Sequence, residues 1–367
     1  MWLQKLFQHL VKGRLTVRRG RPKAERRGVR LGLEQLEDRL VPSNFTAASL
    51  SDLIADITAA NKAVGPNTIS LVAGDTFSLT AVDNATDGAT GLPVIAAKDN
   101  LTIIGNGDTI ARSTASGTPA FRLFDVAVGA SLKLENVTLQ GGLAFGSGVS
   151  AEGGGIYTQG TLDLDAVVVQ NNVAQGQNGG YAQAGQSAAG GGVYSSGSLT
   201  VEGGTSIQNN RAVGGKGGSM FAHFGTSGLK GGNGSGGGVY VAGGTAILID
   251  VTLSSNTAGG GQGGFGSIFT GILTTLHGGG SGGNGFGGAL DVSGGTVTLT
   301  QITVSANNAV GGQGGVYNGL AGLGEGGGLS IDVAAVVYLD AFTLANISNN
   351  TASTSDPNVH GSYKPLP

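Results

Sequence analysis

The stretch GGGIYTQGTLDLDAVVVQNNVA, residues 153–174, carries the pattern that decides the fold. It opens on a Gly-Gly pair before an apolar residue and continues through a Thr-Leu run. It ends on an apolar residue, two spacers, Asn, any residue and Ala, and this ending occurs five times along the chain. The five motif asparagines are Asn172, Asn210, Asn256, Asn307 and Asn350. A unit repeated at this length predicts a stacked solenoid, in which each repeat contacts only its neighbours.

Each repeat contains short runs with the alternation of apolar and polar residues that is typical of β-strands. In the first repeat one run opens at Ile156, a second covers 161–165 and a third covers 167–171. Three short strands joined by tight corners would complete one triangular coil. The sequence therefore predicts an all-β solenoid of stacked coils.

The repeats differ in length at one place only. Successive motif asparagines are separated by 38, 46, 51 and 43 residues, whereas the strand-bearing part keeps a nearly constant length. The additional residues form four Gly-rich insertions, which leave after the Asn-x-Ala corner and return at the Gly-Gly corner. They span 175–189, 213–235, 259–286 and 310–325. If the coils stack in register, the insertions lie above one another and form a single face.

The fixed residues of the motif suit the corners of a coil. Asn tolerates left-handed backbone conformations, and in a stack its side-chain amide can bond to the equivalent Asn above and below. Ala two residues later suits an inward position with little room, and paired Gly permit positive φ or close approach of neighbouring coils. We therefore interpret the five motif asparagines as a structural ladder.

Composition restricts the possible functions. The chain of 367 residues has 72 Gly and no Cys, so disulfides, thiolate metal sites and Cys nucleophiles are excluded. Residues 1–39 hold 11 of the 20 Lys and Arg against 4 acidic residues, which leaves 9 basic and 19 acidic residues in the rest. Because this larger part is acidic, nucleic acid is not expected as its partner.

The N-terminal segment differs in character from the repeats. Residues 1–43 form a basic leader without a clean apolar stretch or a stop-transfer pattern, so no transmembrane span is predicted. A solvated, unfolded tail is one interpretation. Residues 33–43, Leu-Glu-Gln-Leu-Glu-Asp-Arg-Leu-Val-Pro-Ser, resemble a segment near the N-terminus of many exported proteins of planctomycete-type bacteria. This resemblance implies an exported or cell-surface protein.

A capping helix is predicted between the leader and the repeats. Ser49 followed by Asp52 fits a helix N-cap with an acidic residue at N3, and an apolar face continues to about Asn61. Such a helix would cover the exposed end of the solenoid, and a plain surface helix is the alternative. The predicted segments are the leader 1–43, the cap 44–66, the β-helix 67–355 and a polar C-terminal tail 356–367.

The repeat resembles that of right-handed parallel β-helix proteins of the polymorphic outer-membrane-protein type, within the wide pectin-lyase-like class. The resemblance covers about residues 121–352, and the segment 48–53 is similar to the N-terminal cap of the same proteins. Those repeats often carry Phe three residues before the Asn, where this chain has Val169, Ile207, Leu253, Val304 or Ile347. The resemblance implies a right-handed parallel β-helix, an architecture that hosts lyases, hydrolases, adhesins and inert spacers alike.

A polysaccharide lyase or hydrolase on this architecture would need carboxylates gathered on one strand face. The candidates are Asp250, Asp291 and Asp332, which lie in or beside strand runs of successive repeats. Asp250 follows a Thr-Leu run and the other two follow a Gly-Gly opening, so we expect Asp250 to face a different side. Solvated strand-face acids are the alternative interpretation. No metal site and no cofactor is predicted.

The aromatic residues of the insertions are candidates for a binding face. They are Tyr181, Phe221, Phe224, Phe265, Phe269 and Tyr317. Stacked above one another they could form an apolar or sugar-binding strip, or each could pin its own insertion to the body. We therefore expect a structural, adhesive or surface-interaction role outside the cell, with polysaccharide or other cell-surface components as partners. An extracellular polysaccharide lyase or glycoside hydrolase is the competing hypothesis.

Overall fold

A computed structural model describes residues 43–63, 65–72, 74–146, 148–219, 227–266, 268–270, 274–276 and 278–366. These residues belong to one compact unit, Leu40–Pro367. All of the leader except Ser43 lies outside the described residues, and so does the segment 33–42.

Five parallel sheets run along the molecule, and each complete coil visits them in a fixed order, here numbered sheet 1 to sheet 5. Every pairing between successive coils is parallel and keeps the repeats in register. Val169, for example, pairs with Ile207, and Ile207 pairs with Leu253. The prediction of an all-β parallel β-helix with a short N-terminal helix is therefore confirmed.

Three of the sheets contain the three strand runs that the sequence predicts for each repeat. The strands of sheet 1 are Ser43–Ala47, Pro66–Leu71, Asn100–Ile104, Ser131–Glu135, Thr161–Asp165, Ser198–Glu202, Thr245–Ile249, Gly295–Thr300, Ala335–Leu339 and Lys364–Pro365. The strands of sheet 2 are Thr76–Leu79, Thr109–Arg112, Thr138–Gln140, Val168–Gln170, Ser206–Gln208, Thr252–Ser254, Thr303–Ser305 and Ile347–Ser348. The strands of sheet 5 are Phe124–Val126, Ile156–Thr158, Val193–Ser195, Val239–Val241, Leu290–Val292, Leu329–Ile331 and Val359–His360.

The other two sheets lie where the sequence predicts only a corner and an insertion, so a coil has five short strands instead of three. The strands of sheet 3 are Leu143–Phe145, Val173–Gln175, Arg211–Val213, Thr257–Gly259, Asn308–Val310 and Thr351–Ala352. The strands of sheet 4 are Ala151–Glu152, Ala188–Ala189, Gly234–Ser235, Gly285–Phe286 and Gly324–Glu325. Buried alanines such as Ala174 and Ala188 pack together between these two sheets, which explains the small residue of the motif.

The main core is formed by alternate residues of sheets 1, 2 and 5. Leu162 and Leu164 of one sheet 1 strand are buried, whereas Thr161, Asp163 and Asp165 are exposed or half-buried. Burying one aliphatic side chain contributes about 1.5–3 kcal/mol. The two-residue alternation therefore specifies both the strand and the face that it buries.

The first coil is covered by helix α1, Leu50–Ala60. Its N-cap is Ser49, whose hydroxyl accepts a hydrogen bond from the Asp52 N–H at 3.2 Å, and its apolar face is buried against the core. Strand Ser43–Ala47 precedes the helix and pairs with the next strand of sheet 1. The segment 44–66 thus contributes a strand as well as the capping helix.

The last coil contains a second helix and the C-terminal segment. Helix α2, Ala341–Ala345, connects a strand of sheet 1 to a strand of sheet 2. Beyond it, Val359–His360 pairs with sheet 5 and Lys364–Pro365 pairs with sheet 1. The polar segment that begins at Asp356, expected to be a tail, therefore continues the final coil.

The motif asparagines occupy buried corners between sheets 2 and 3. A side-chain hydrogen bond of 3.0 or 3.1 Å links each neighbouring pair from Asn172 to Asn350. Each motif Asn after Asn172 also accepts the backbone N–H of the preceding motif Asn, as Asn256 Oδ1 does from Asn210 at 3.0 Å, and Asn172 Oδ1 accepts the Gly142 N–H at 2.9 Å. We expected the motif Asn to adopt the left-handed conformation. Instead the residue before it does so, as Asn209 does with φ of 54°.

The four insertions form a two-layered structure, here called the glycine wing, that continues sheets 3 and 4. Each insertion has an outgoing leg after sheet 3 and a returning leg before sheet 4. The outgoing legs are 176–180, 214–219, 260–265 and 311–316, and the returning legs are 183–187, 228–233, 278–284 and 319–323. The third insertion also contains an antiparallel pair, Ile268–Thr270 with Thr274–Leu276.

Backbone hydrogen bonds join the legs of the wing at intervals of three residues. In the outgoing layer the N–H of Gly214 donates to Gly259 O at 2.9 Å, and that of Gly217 donates to Gln262 O at 2.7 Å. Other bonds cross between the layers. A three-residue period is that of a polyproline II-type helix, which makes no internal hydrogen bonds and leaves its N–H groups free for neighbours. The spacing of the hydrogen bonds thus matches that expected for stacked legs of this extended type.

This packing explains the Gly-Gly-x pattern of the legs. A Cβ on Gly260 would collide with the carbonyl oxygen of Gly283 in the returning layer, and one on Gly261 would collide with Gly215 of the preceding leg. Only glycine fits at these two positions. The third position carries Gln262, which remains partly exposed.

Candidate binding groove

A groove lies between sheet 5 on one side and sheet 4 with the returning legs of the wing on the other. In each three-residue strand of sheet 5 the first and third residues are buried, as Val239 and Val241 are, so the middle residue faces away from the core; His360 of the two-residue last strand pairs with the middle residue Ser330. Strand pairing aligns these middle residues in one row, here called the central column. The central column consists of Asp125, Tyr157, Tyr194, Tyr240, Asp291, Ser330 and His360.

The middle of the central column is a stack of tyrosine rings. The ring centroids of Tyr157 and Tyr194 are 5.1 Å apart, and those of Tyr194 and Tyr240 are 5.3 Å apart, with interplanar angles of 19° and 21°. The rings therefore cover one another's faces along the axis of the β-helix. Burial raises the pKa of all three hydroxyls, so each stays protonated at neutral pH and can donate a hydrogen bond.

A pocket of about 210 Å³ opens at the C-terminal end of the groove. It is lined by Asn233, Ser235, Tyr240, Phe286, Asp291, Ser293, Ser330, Asp332 and His360. Asp291 is 6% exposed, and its pKa is raised to about 7, chiefly by burial and also by nearby Asp332, while hydrogen bonds with Ser330 and Ser235 and the charge of His360 oppose the rise. The pocket thus holds a carboxyl group that can change its protonation state near neutral pH.

The C-terminal strand completes the pocket through His360. Its Nδ1 lies 2.9 Å from Asp356 Oδ2, and its Nε2 lies 3.6 Å from Glu325 Oε2. The hydrogen bond with His360 is the first cause of a lowered pKa at Asp356. Residues beyond 355, expected to be a tail, therefore form one wall of the site.

The other end of the groove is closed by a loop over Arg122 and Asp125. The Arg122 guanidinium stacks 4.8 Å from the ring centroid of Tyr157 and donates to Asp87 O at 2.8 Å. Burial raises the pKa of Asp125 to about 6, and the charge of Arg122 opposes this rise. Thr90 bridges to the Arg122 strand, which keeps the loop over this end.

The structure brings two of the three candidate catalytic aspartates together. Asp291 lies in the central column, and Asp332 directly follows the next strand of sheet 5, so both line the pocket. Asp250 lies at the corner between sheets 1 and 2, with φ of 56°, outside the residues that line the pocket. The three aspartates therefore do not form one cluster.

The aromatic residues of the insertions do not form a continuous strip where the structure describes them. Tyr181, in the turn after the first outgoing leg, and Phe265, at the end of the third, are both exposed. Ser219 ends the leg between them, and its hydroxyl accepts the Phe265 N–H at 2.9 Å. Tyr317 is exposed and has φ of 72°, a left-handed turn conformation between two legs. Only the backbone of Phe269 is described, and Phe221 and Phe224 lie outside the described residues.

Sequence reasoning missed the tyrosine stack and the wing, although each has a signal in the sequence. Tyr157, Tyr194 and Tyr240 all follow a Gly-Gly-Gly-apolar opening, and strand alternation places that position on the outer face. The period of the wing is visible as Gly-Gly-x-Gly-Gly-x at 214–219 and 260–265. The first signal by itself predicts only a strand that opens at Ile156, and the second predicts only a Gly-rich insertion.

Within the part of the chain that the structure describes, no group of three or more His, Cys, Asp or Glu side chains is arranged to hold a metal ion. The described helices are also too short or too polar to cross a membrane. Comparison of the chain with protein-family models, with curated proteins and with solved structures found no match in any of the three.

Proposed function

We propose that this chain is an exported or cell-surface protein with a surface-interaction role, and that its groove binds an extended polymer such as a polysaccharide. The observation that carries the proposal is the central column, which aligns one outward residue in each of seven successive coils. Because the Asp125 end of the column is buried beneath a loop, its open part runs from Tyr194 to His360, and at about 4.8 Å per coil this part is roughly 19 Å long. A linear chain of several sugar units would match this length.

The composition of the groove supports a glycan better than an apolar ligand. Its walls offer tyrosine and serine hydroxyls, amides and carboxylates, which are the hydrogen-bond partners that sugar hydroxyls require. The wing contributes rigidity, because its legs are bonded to one another in every coil from Gly176 to Gly322. A preformed wall lowers the entropy lost on binding.

The location outside the cell rests on different evidence. The basic leader and the resemblance of residues 33–43 to segments of exported proteins favour export. The absence of Cys from the whole chain is compatible with any redox compartment. Because no disulfide can form, stability depends on stacking and burial alone.

A second candidate function is hydrolysis or elimination of a polysaccharide at the C-terminal pocket. The observation that favours it is a buried carboxyl group with a pKa of about 7, Asp291, next to a second carboxylate, Asp332. Such a pair can act as general acid and general base. None of the residues that line the pocket is Lys or Arg, which is a poor arrangement for a lyase that must stabilise an anionic intermediate.

Calorimetry with the full chain and a panel of neutral, acidic and basic hexasaccharides tests the proposal. Tyr194→Phe keeps the ring stack and removes one groove hydroxyl, so we expect affinity to fall several-fold. Thr200→Ala, on the outer face of sheet 1 in the same coil, is the matched control and should bind normally. If no oligosaccharide binds, or if both variants bind alike, the groove is not the site. Release of reducing ends or unsaturated products by the wild type would favour the second candidate.

A further inference from the structure

The C-terminal pocket has an unbalanced charge. Asp291 and Asp332 line it, and Glu325 and Asp356 hold His360, the one residue of the lining that can become cationic. The ion pairs among the described residues include no Lys or Arg partner for any of these acids. The electrostatic potential of the pocket is therefore negative, and it favours a ligand with positive charge.

Asp291 is the member of this set that most needs a partner. It is more than nine-tenths buried, and its hydrogen bonds come from the neutral hydroxyls of Ser330 and Ser235. A carboxylate removed from water is costly, and the charge of His360, which Glu325 and Asp356 share, offsets this cost only in part, so burial favours the neutral acid. A cation placed in the pocket would stabilise the ionised form, which links ligand binding to release of a proton.

The remaining walls indicate what carries the charge. Four neutral polar side chains surround the acids, and two aromatic rings, Tyr240 and Phe286, complete the lining. Hydroxyl and amide groups in this number suit a ring with hydroxyls around its edge, whereas the aliphatic stem of a lysine side chain would leave them without partners. The volume of about 210 Å³ suits one sugar ring better than a longer segment.

We propose that the pocket binds one amino-sugar ring of a glycan chain, with the protonated amine of that ring at Asp291 and Asp332 and its hydroxyls at the serine and asparagine side chains. This inference rests on the proposed function, since the rest of the glycan lies along the tyrosines of the groove. The inference also predicts that acidic polysaccharides are not ligands of this pocket. A uronic acid in the pocket would bring a further carboxylate against the two aspartates and would be repelled.

The test compares three probes on the full chain by calorimetry at low and at physiological salt. The probes are a β-1,4-linked glucosamine hexasaccharide, the N-acetylated hexasaccharide of the same linkage, and a galacturonate hexasaccharide. We expect the glucosamine probe to bind at least about tenfold more tightly than the acetylated one, with galacturonate weakest. Because charge pairing drives this preference, it should shrink as salt is raised.

Variants assign the preference to the pocket. Asp291→Asn and Asp332→Asn should each reduce the affinity for the glucosamine probe by about tenfold and leave the acetylated probe nearly unchanged. Asp250→Asn removes an acid outside the pocket and should change neither. Circular dichroism and thermal melting check that each variant is folded, and Asp332, an exposed residue, keeps the test valid if Asp291→Asn does not fold.

The outcomes separate this inference from the proposed function. Equal binding of the glucosamine and acetylated probes, with loss in Tyr194→Phe, would overturn the amino-sugar inference and keep the groove as a glycan site. Binding of none of the probes would overturn both. A lysine hexapeptide that binds as tightly as the glucosamine probe would mean that the pocket recognises charge alone, which also overturns the inference.

Discussion

The β-helix body and the glycine wing stack through the same coils, yet different interactions hold each of them together. In the body, apolar side chains such as Leu253 and Val304 fill the core at every second position. In the wing, successive legs approach so closely that only glycine fits at inward positions such as Gly260 and Gly261, and backbone hydrogen bonds join the legs. The body therefore depends on the hydrophobic effect, and the wing depends on close backbone packing.

This difference predicts how each region responds to mutation. A core side chain can be replaced by a smaller one at the cost of lost burial and a cavity, and the coil remains. An inward glycine of the wing cannot be enlarged without separating two legs. The outward residues of the wing, in contrast, are free to vary, which makes its faces a place where binding properties can change without loss of the fold.

The largest effect is expected at the buried asparagines that join the two regions. Asn256→Ala removes acceptors for the N–H and side chain of Asn210, and donors to Ile207 O and to the Asn307 side chain. Buried groups left without partners cost about 1–3 kcal/mol each, so the free energy of unfolding should fall by roughly 3–6 kcal/mol. Chemical denaturation measures this change. Gln208→Ala removes a partly exposed side chain that donates to Gln170 of the preceding coil and should cost less than about 1 kcal/mol; equal losses for the two variants would contradict a special role for the motif asparagines.

A core substitution is expected to have the next largest effect and to leave the wing intact until global unfolding. Leu253→Ala creates a cavity at a fully buried position and should cost about 2–5 kcal/mol. Leu253→Val is a milder control, because the aligned position in the next coil is Val304. Hydrogen exchange should show all wing amides losing protection only through the global transition. Selective early exchange of the wing in Leu253→Ala would mean instead that the wing opens separately from the global transition and that its stability depends on the core beneath it.

The body and the wing also differ in how far they could be predicted from the sequence. The strand runs around Asn172 and the motif corners predict the fold of the body, because an alternation of apolar and polar residues indicates which face of a strand is buried. The wing could not be predicted in the same way. Its legs acquire partners only when insertions of unequal length stack, so the glycines around Gly261 predict no more than a Gly-rich insertion, and their φ values are not positive.

The groove was predictable in part. Asp291 and Asp332 were recognised as acids beside successive strands, and alternation places Tyr194 on the outer face of its strand. The pocket, however, needs His360, which belongs to a polar segment without the apolar alternation that would indicate a strand. His360 pairs with Ser330 because the preceding coil serves as a template. No pattern within the C-terminal segment itself predicts this pairing.

The buried carboxyl group of Asp291, on sheet 5, should make the stability of the protein depend on pH. Its pKa is 3.8 in the unfolded chain and about 7 when folded, so the folded state binds more protons in between, and this group makes the protein less stable as pH rises through that window. Asp291→Asn removes the effect. We therefore expect the variant to gain stability relative to the wild type from pH 4 to 7, by at most about 1.4 kcal/mol per pH unit. Thermal melting across that range measures the difference. A constant difference would mean that Asp291 is solvated in the folded protein.

Gly261→Ala is expected to have the smallest effect on global unfolding. It tests most directly whether the wing and the body are held together by separate interactions. The new Cβ would collide with the carbonyl oxygen of Gly215, so the two legs must separate and the bond from the Gly261 N–H to Gly232 O, 2.8 Å long, must weaken. Overpacking of this kind costs about 1–3 kcal/mol locally, and the body does not share it because its core residues are untouched. Hydrogen exchange should thus show lost protection confined to the wing, with a global midpoint close to that of the wild type. Gln262→Ala, one residue along and partly exposed, should change neither. If Gly261→Ala instead unfolds the whole protein, the wing is part of the framework of the body, and its backbone hydrogen bonds, as much as the apolar core, hold the coils in register.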